Sequence, residues 1–206
     1  MTRNVARVLI FFRKLNRQMS GLGVYKVWAF AVVIGAAAAY AVIGFRYAID
    51  VVSMFAFGET EGSIVSGASS LHFMRAWAAP VIGGLLVSAF LYFADRFKWL
   101  DGGRPQAVAD VIEARAVAGG RISLRTGLAT AVISAVSLGS GASAGREGPA
   151  VHLGATIASV INRHLGFDAK QRRALLGCGA AAAVSASFNA PIAGVLFALE
   201  VILGNY

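Results

Sequence analysis

The residues best placed to do chemistry are Arg146 and Glu147, a charged pair between two apolar runs. Twenty uncharged residues, Thr126 to Gly145, precede the pair, and Gly148 and Pro149 follow it. Proline suits the first turn of a helix because its missing N–H is no loss there. The first N–H groups of a helix that starts here have no partner within the helix. These groups and the positive end of the helix dipole are directed towards any group that lies just before the helix. This pattern predicts an anion site inside a membrane, with a carboxylate placed in it.

The same stretch also bears comparison with soluble nucleotide-binding patterns. Gly139, Gly141 and Ala144 match the loose dinucleotide pattern, but no strand of a βαβ unit precedes them. The phosphate-loop pattern fails because no glycine here is followed by Lys and then Ser or Thr. The histidines lack metal-like spacing. His152, just inside the helix after Pro149, could face a pathway, but we interpret it as packed or solvated. The sequence predicts no catalytic constellation, no metal site and no cofactor, so the chain is not expected to be an enzyme.

Composition indicates that the charged pair lies in a membrane protein. Hydrophobic residues make up 57% of the chain and charged residues 14%, well below the roughly 25% typical of soluble domains. A net charge of +9 would suggest nucleic acid in a soluble protein, but the basic residues lie between apolar segments. Basic residues at such positions are explained by the excess of Lys and Arg in the cytoplasmic loops of membrane proteins. The single cysteine, Cys178, excludes an internal disulfide. We predict a multi-pass integral protein of the cell (inner) membrane that binds no nucleic acid.

The first half of the chain predicts a surface helix and two spans. Residues 1–24 are basic and amphipathic, which is typical of a helix on the cytoplasmic surface, and residues 25–206 form the membrane part. Val27 to Phe45 and Ala76 to Ala94 are uncharged over 19 residues each, enough for one span. The intervening loop, Arg46 to Arg75, is richer in acidic than in basic residues. We therefore expect the N-terminus inside and this loop outside.

The second half breaks into helices too short to cross a bilayer alone. The predicted short helices are Gln106 to Gly119, Thr126 to Leu138, ended by Gly139, and Ala150 to Ile161. A basic loop around Lys170 is expected next, before an uncharged run from Ala174 to Leu199 that Asn189 and Pro191 interrupt. We expect Asn189 to cap a new helix that starts at Pro191. Broken helices of this kind hold anionic substrates in transporters. The predicted fold class is an all-α integral membrane protein with broken helices.

A second helix start of the same kind follows Asp101. Gly102, Gly103, Arg104 and Pro105 put glycines and a proline before a short helix. On these residues alone, a plain cytoplasmic loop with a helix start fits equally well. Together with the turn at Glu147, this segment would direct the positive ends of two helix dipoles towards a single ion.

Two segments of the sequence resemble those of a known family. Gly145 to Pro149 resembles the GREGP signature of the CLC chloride channels and chloride/proton antiporters, and Phe188 to Phe197 resembles that family's FNAPxAGxLF segment. The resemblance covers essentially the whole chain, but only the N-terminal half of a family subunit. It implies one half of an inverted-repeat fold, with anion sites between the halves and subunits paired as homodimers. The implied function is voltage- or pH-gated transport of chloride or another small anion across a membrane.

The resemblance also implies roles for single residues. Glu147 matches the family's gating glutamate, whose carboxylate competes with chloride and carries protons in the antiporters. The matching anion-binding residues are Gly145, Arg146, Gly148 and Pro149, together with Gly102, Gly103, Arg104 and Pro105 of an imperfect match to the GSGxP motif. Gly102 stands where the family commonly has a serine that contacts the central ion, so a site built only from backbone groups would admit other small anions.

Proton coupling depends on a further position. The antiporters' inner proton glutamate would align with Val201, which follows Glu200 directly. We therefore expect channel-like or weakly coupled anion movement, with Glu200 as the candidate inner proton relay. The alternatives are a strict chloride/proton antiporter, a truncated and non-conducting structural or assembly chain, and a different broken-helix transporter for an organic anion.

Overall fold

The computed structural model of the protein describes residues 22–58, 73–97, 100, 106–163 and 165–204. Within these ranges all regular structure is helical, which confirms the predicted all-α class. The predicted surface helix of residues 1–24 lies almost wholly outside the described residues. The helices are α1 (Leu22–Phe57), α2 (Phe73–Arg96), α3 (Val108–Ala116), α4 (Leu124–Gly139), α5 (Glu147–Arg163), α6 (Ala169–Phe188) and α7 (Pro191–Phe197), followed by a π-helix, Ala198–Ile202.

The first two helices are long and apolar enough to cross a membrane. The most apolar 18-residue window of Tyr25–Phe57 in α1 has a mean hydropathy of 2.1, and that of Met74–Arg96 in α2 has a mean hydropathy of 1.8. Only 17% and 11% of their most apolar windows are buried, whereas the core helix of a soluble protein is mostly buried. Their large apolar side chains instead face outward, among them Trp28, Val32, Tyr40, Phe55, Trp77, Leu85 and Phe93. The two helices occur where the two spans are predicted.

Helix α1 extends further than the sequence predicted. The expected loop beginning at Arg46 is wrong, because the helix continues without a break to Phe57. Its buried positions recur every fourth residue from Phe45 through Ile49 to Phe57, so one face stays packed along this extension. Phe45 and Ile49 share a core cluster with Ala135 of α4 and Leu153 of α5. Packing of this face against α4 and α5 therefore accounts for the continuation of the helix beyond Phe45.

An arginine from the next helix satisfies the carbonyl end of α1. The Arg75 guanidinium donates hydrogen bonds from Nε to the Ala56 oxygen (3.0 Å) and from Nη2 to the Phe55 oxygen (3.2 Å). The last carbonyls of a helix have no partner within it, and a cation also suits the negative end of the dipole. Arg75 therefore ties the start of α2 to the end of α1.

Helices α5 and α6 cross at a pair of glycines in the centre of the fold. A Cβ atom built on Gly154 of α5 would lie 2.5 Å from the carbonyl oxygen of Gly179 on α6, and the reverse substitution meets the Gly154 oxygen in the same way. The two backbones can approach this closely only because neither residue carries a side chain. This crossing fixes the position of α5, and with it the position of the charged turn.

Helix α6 begins earlier than predicted. It starts at Ala169, so Lys170, Arg172 and Arg173 lie on its first turns and the expected basic loop is wrong. Asp168 and Gln171 form a capping box: the Gln171 N–H donates to Asp168 Oδ1 (2.7 Å), and the Asp168 N–H donates to Gln171 Oε1 (3.1 Å). This local hydrogen bonding starts the helix before the apolar run begins.

The predicted break between α6 and α7 is present, but Asn189 has a different role there. Asn189 adopts the left-handed conformation (φ 54°) and closes α6, with its N–H donated to the Ser185 carbonyl. Ala190 is the residue that precedes α7, whose first residue is Pro191. Asparagine is one of the few residues that tolerate this conformation, so it suits a helix C-terminus as well as an N-terminus.

Candidate functional site

The charged turn forms the start of α5. Glu147 is the first residue of the helix, three residues earlier than predicted, with Gly148 and Pro149 in the same turn. The Ala150 N–H donates to the Arg146 carbonyl (3.2 Å), which is the first helical hydrogen bond. The N–H groups of Glu147 and Gly148 consequently have no acceptor within the helix. They lie at its positive dipole end, where an anion is stabilised.

The Glu147 carboxylate folds back over the segment that leads into the helix. Its Oε2 atom lies 2.6 Å from the position that a Cβ atom on residue 145 would take. Glycine at position 145 therefore leaves the space into which this carboxylate fits. The residue is partly buried, and its carboxylate lies beside the start of its own helix. An acidic group in the first turn of a helix interacts favourably with the dipole.

The start of α3 lies against the start of α5. A Cβ atom built on Gly148 would lie 3.3 Å from the Cβ of Ala107 and 3.9 Å from Cγ2 of Val108. Ala107 precedes α3 and has a positive φ of 54°, which is uncommon for a residue with a side chain. The two helix starts are thus brought side by side. Gly102, Gly103, Arg104 and Pro105, which precede α3, lie outside the described residues.

One turn further along both helices, Asp110 of α3 faces His152 of α5. The distance between Asp110 Oδ2 and His152 Nε2 is 3.6 Å, and the His152 side chain is fully buried. The interpretation of His152 as packed is confirmed, but sequence reasoning missed its acidic neighbour. Asp110 in the first turn of a short helix was the available signal, because acidic residues there interact with the helix start.

The candidate relay Glu200 lies in the π-helix rather than in an α-helix. The Leu203 N–H donates to the Ala198 carbonyl (2.8 Å), a bond that spans five residues. Glu200 and Val201 are both exposed, whereas Ile202 is buried. The segment packs on α6, α7 and α3, and Arg115 of α3 donates a hydrogen bond to the Leu203 carbonyl.

Comparison with known proteins identifies the family. The family model described as "Voltage gated chloride channel" matches residues 83–206. The chain is 36% identical over 180 residues to a ClcB-like chloride channel protein of Ralstonia nicotianae, and 34% identical over 176 residues to the voltage-gated ClC-type chloride channel ClcB of Escherichia coli. Each alignment covers 85% of this chain and 41% of the relative, so the chain spans about two fifths of the relatives' length. Because the family model covers more than half of its residues, the chain belongs to the voltage-gated chloride channel family.

Proposed function

We propose that this chain supplies one half of a membrane pathway for chloride or another small anion, with Glu147 as its gate. The observation that carries the proposal is the position of the Glu147 carboxylate, folded over Gly145 at the start of α5. Family membership supports transport rather than catalysis, since the relatives are named as chloride channels. The two apolar, outward-facing helices support a place in the bilayer.

The gate works by competition between two anions for the same groups. The N–H groups of Glu147 and Gly148 and the positive dipole end at the start of α5 attract an anionic group. A chloride ion at the helix start needs the same N–H groups, so chloride and the carboxylate exclude each other. When Glu147 takes a proton, its carboxyl group loses its attraction to the helix start and the anion enters. A voltage- or pH-dependent gate follows from this exchange.

The anion would be held mainly by backbone groups from two helix starts. On α5 the proposed set is Gly145, Arg146, Gly148 and Pro149, and before α3 it is Gly102, Gly103, Arg104 and Pro105. The contact between Gly148 and Ala107 supports this pairing, because it brings the two starts together. With Gly102 in place of a hydroxyl-bearing residue, the site selects anions by size and charge. We therefore expect nitrate and bromide to pass along with chloride.

Proton coupling is proposed to be weak. Valine cannot carry a proton, and Val201 stands where the resemblance implies a proton-carrying glutamate. Glu200 beside it is exposed on the π-helix, so it is the candidate inner relay. At its full encoded length the protein is proposed to be a homodimer in a bacterial inner membrane, with a cytoplasmic N-terminus and one pathway in each subunit. A strict chloride/proton antiporter is the alternative for the same site.

A second candidate function is that of a non-conducting assembly chain. The observation that favours it is the apolar outer surface of α7, where the side chains of Ile192, Val195 and Leu196 are 78%, 51% and 51% exposed. This surface is suited to packing against a further membrane segment. Backbone groups left unpaired in hydrocarbon cost several kcal/mol each. We expect the isolated 206-residue chain not to conduct, and selective anion flux from it in liposomes would contradict this expectation.

The experiment that tests the proposed function is an anion flux assay. The native protein, at its full encoded length, is reconstituted in liposomes loaded with chloride, nitrate or a small carboxylate such as acetate. The proposal predicts flux of chloride and nitrate and none of acetate. Flux of organic carboxylates without chloride would instead identify a different broken-helix transporter.

A further inference from the structure

His152 stands apart from the other buried polar residues of its helix face. Thr156 and Ser159 lie on the same face of α5, and both are hydrogen bonded. Thr156 Oγ1 donates to the His152 carbonyl (2.7 Å), and Ser159 Oγ accepts from the Ile122 N–H (2.7 Å). Neither ring nitrogen of His152 has a hydrogen-bond partner, although the side chain is 0% exposed. A buried polar group without a partner is unfavourable and calls for a physical explanation.

The explanation is the neighbouring carboxylate. Asp110 Oδ2, at 3.6 Å from His152 Nε2, is slightly beyond hydrogen-bond distance. A shift of a few tenths of an ångström completes an Nε2–H to Oδ2 hydrogen bond. The same Asp110 oxygen already accepts a hydrogen bond from the Gln106 N–H (2.7 Å). A carboxylate oxygen can accept two hydrogen bonds, so Asp110 can bridge the imidazole and the backbone in front of α3.

These contacts close a ring that includes the candidate anion site. His152 Nε2 lies 3.6 Å from Asp110 Oδ2, which accepts a hydrogen bond from the Gln106 N–H. The next residue, Ala107, has its Cβ atom 3.3 Å from the position that a Cβ atom on Gly148, in the first turn of α5, would take. The positive φ of Ala107 makes this short segment dependent on its surroundings, because an alanine rarely adopts that conformation unaided. A change at His152 is therefore transmitted to the spacing between the two helix starts.

We propose that His152, acting through Asp110, is a positioning residue that sets the spacing of the two helix starts and thereby the affinity for the transported anion. The inference rests on the proposed function, since it concerns the same anion site. His152 does not touch the anion. Its N–H would hold the Asp110 carboxylate in place, and that carboxylate accepts the hydrogen bond from the Gln106 N–H at the start of α3.

The test compares chloride affinity and maximal flux in matched variants of the native protein at its full encoded length. In His152→Ala we expect the KM for chloride to rise about tenfold, as for loss of a buried hydrogen bond to a charged group, with maximal flux little changed. His152→Gln retains an N–H donor and should restore most of the affinity. The double variant His152→Ala with Asp110→Ala should be no worse than Asp110→Ala alone, because Asp110→Ala already removes the contact with His152 together with the Gln106 hydrogen bond.

Thr156→Val is the matched control, since Thr156 lies on the same buried face but bonds only within its own helix. Its KM for chloride should equal that of the native protein. An unchanged KM in His152→Ala, an equal rise in Thr156→Val, or no rescue by His152→Gln would each overturn the inference. If the native protein itself moves no chloride, both the proposed function and this inference are contradicted. If the native protein moves chloride and the variants match it, the inference alone fails.

Discussion

The carboxylate of Glu147 occupies the space that the absent side chain of Gly145 leaves open. Its Oε2 atom lies 2.6 Å from the position of a Cβ atom on residue 145. Real Cβ atoms do not approach an oxygen so closely, so the two features depend on each other. The position of the proposed gate is thus coupled to the residue two places before it.

This relationship predicts the effect of Gly145→Ala. The added methyl group should displace the Glu147 carboxylate from its position but leave the fold intact, because only the end of a flexible side chain has to move. We expect chloride flux to change in the same direction as in Glu147→Gln, which lacks the carboxylate, but by a smaller amount. Flux in liposomes measures this. Gly84→Ala is the control, since a Cβ on Gly84 meets nothing within 4 Å. Equal flux from native protein and Gly145→Ala would contradict the coupling.

A second prediction concerns the crossing of α5 and α6. In Gly179→Ala the methyl group meets the backbone of Gly154, so the helices must separate, and we expect destabilisation of about 1–3 kcal/mol. Gly44→Ala on α1 has no neighbour within 4 Å, and it should be neutral or slightly stabilising because alanine favours the helix. Thermal unfolding in detergent distinguishes the two variants. Equal stability of both would show that the close crossing is not required.

A third prediction concerns proton coupling. The native protein in liposomes under an imposed chloride gradient should move few protons per chloride, because Val201 cannot carry one. Val201→Glu places a titratable group beside Glu200 and should increase proton movement. A pH-sensitive dye inside the liposomes reports both results. Robust uphill proton transport by the native protein would overturn this prediction, and if Glu200→Gln then abolished it, Glu200 would be identified as the relay.

The helix starts could be predicted from the sequence where local chemistry defines them. Pro149 with its neighbouring glycines indicated the start of α5, and Pro191 indicated the start of α7, because proline fits the first turn of a helix. Asp168 and Gln171 carried an equally local signal for α6, a capping box. Basic residues follow that signal directly, so hydropathy favoured a loop there.

Features that depend on packing could not be predicted in the same way. The continuation of α1 to Phe57 follows from burial of Phe45 and Ile49 against other helices, which hydropathy does not report. The contact between Asp110 and His152 joins two helices that are distant in the sequence, and it depends on the α5–α6 crossing and on the placement of α3. Short-range patterns contain no information about such contacts.

The most direct test of the central claim is chloride flux in Glu147→Gln, measured against pH with the native protein at its full encoded length. Glutamine keeps the size of the side chain but cannot ionise, so it cannot compete with the anion as a carboxylate does. Glu113→Gln, an exposed acidic position on α3, is the control and should behave like the native protein. We predict that Glu147→Gln alone changes chloride flux and abolishes its dependence on pH and any proton coupling. Flux and pH dependence in Glu147→Gln that match those of the native protein would contradict the assignment of Glu147 as the gate.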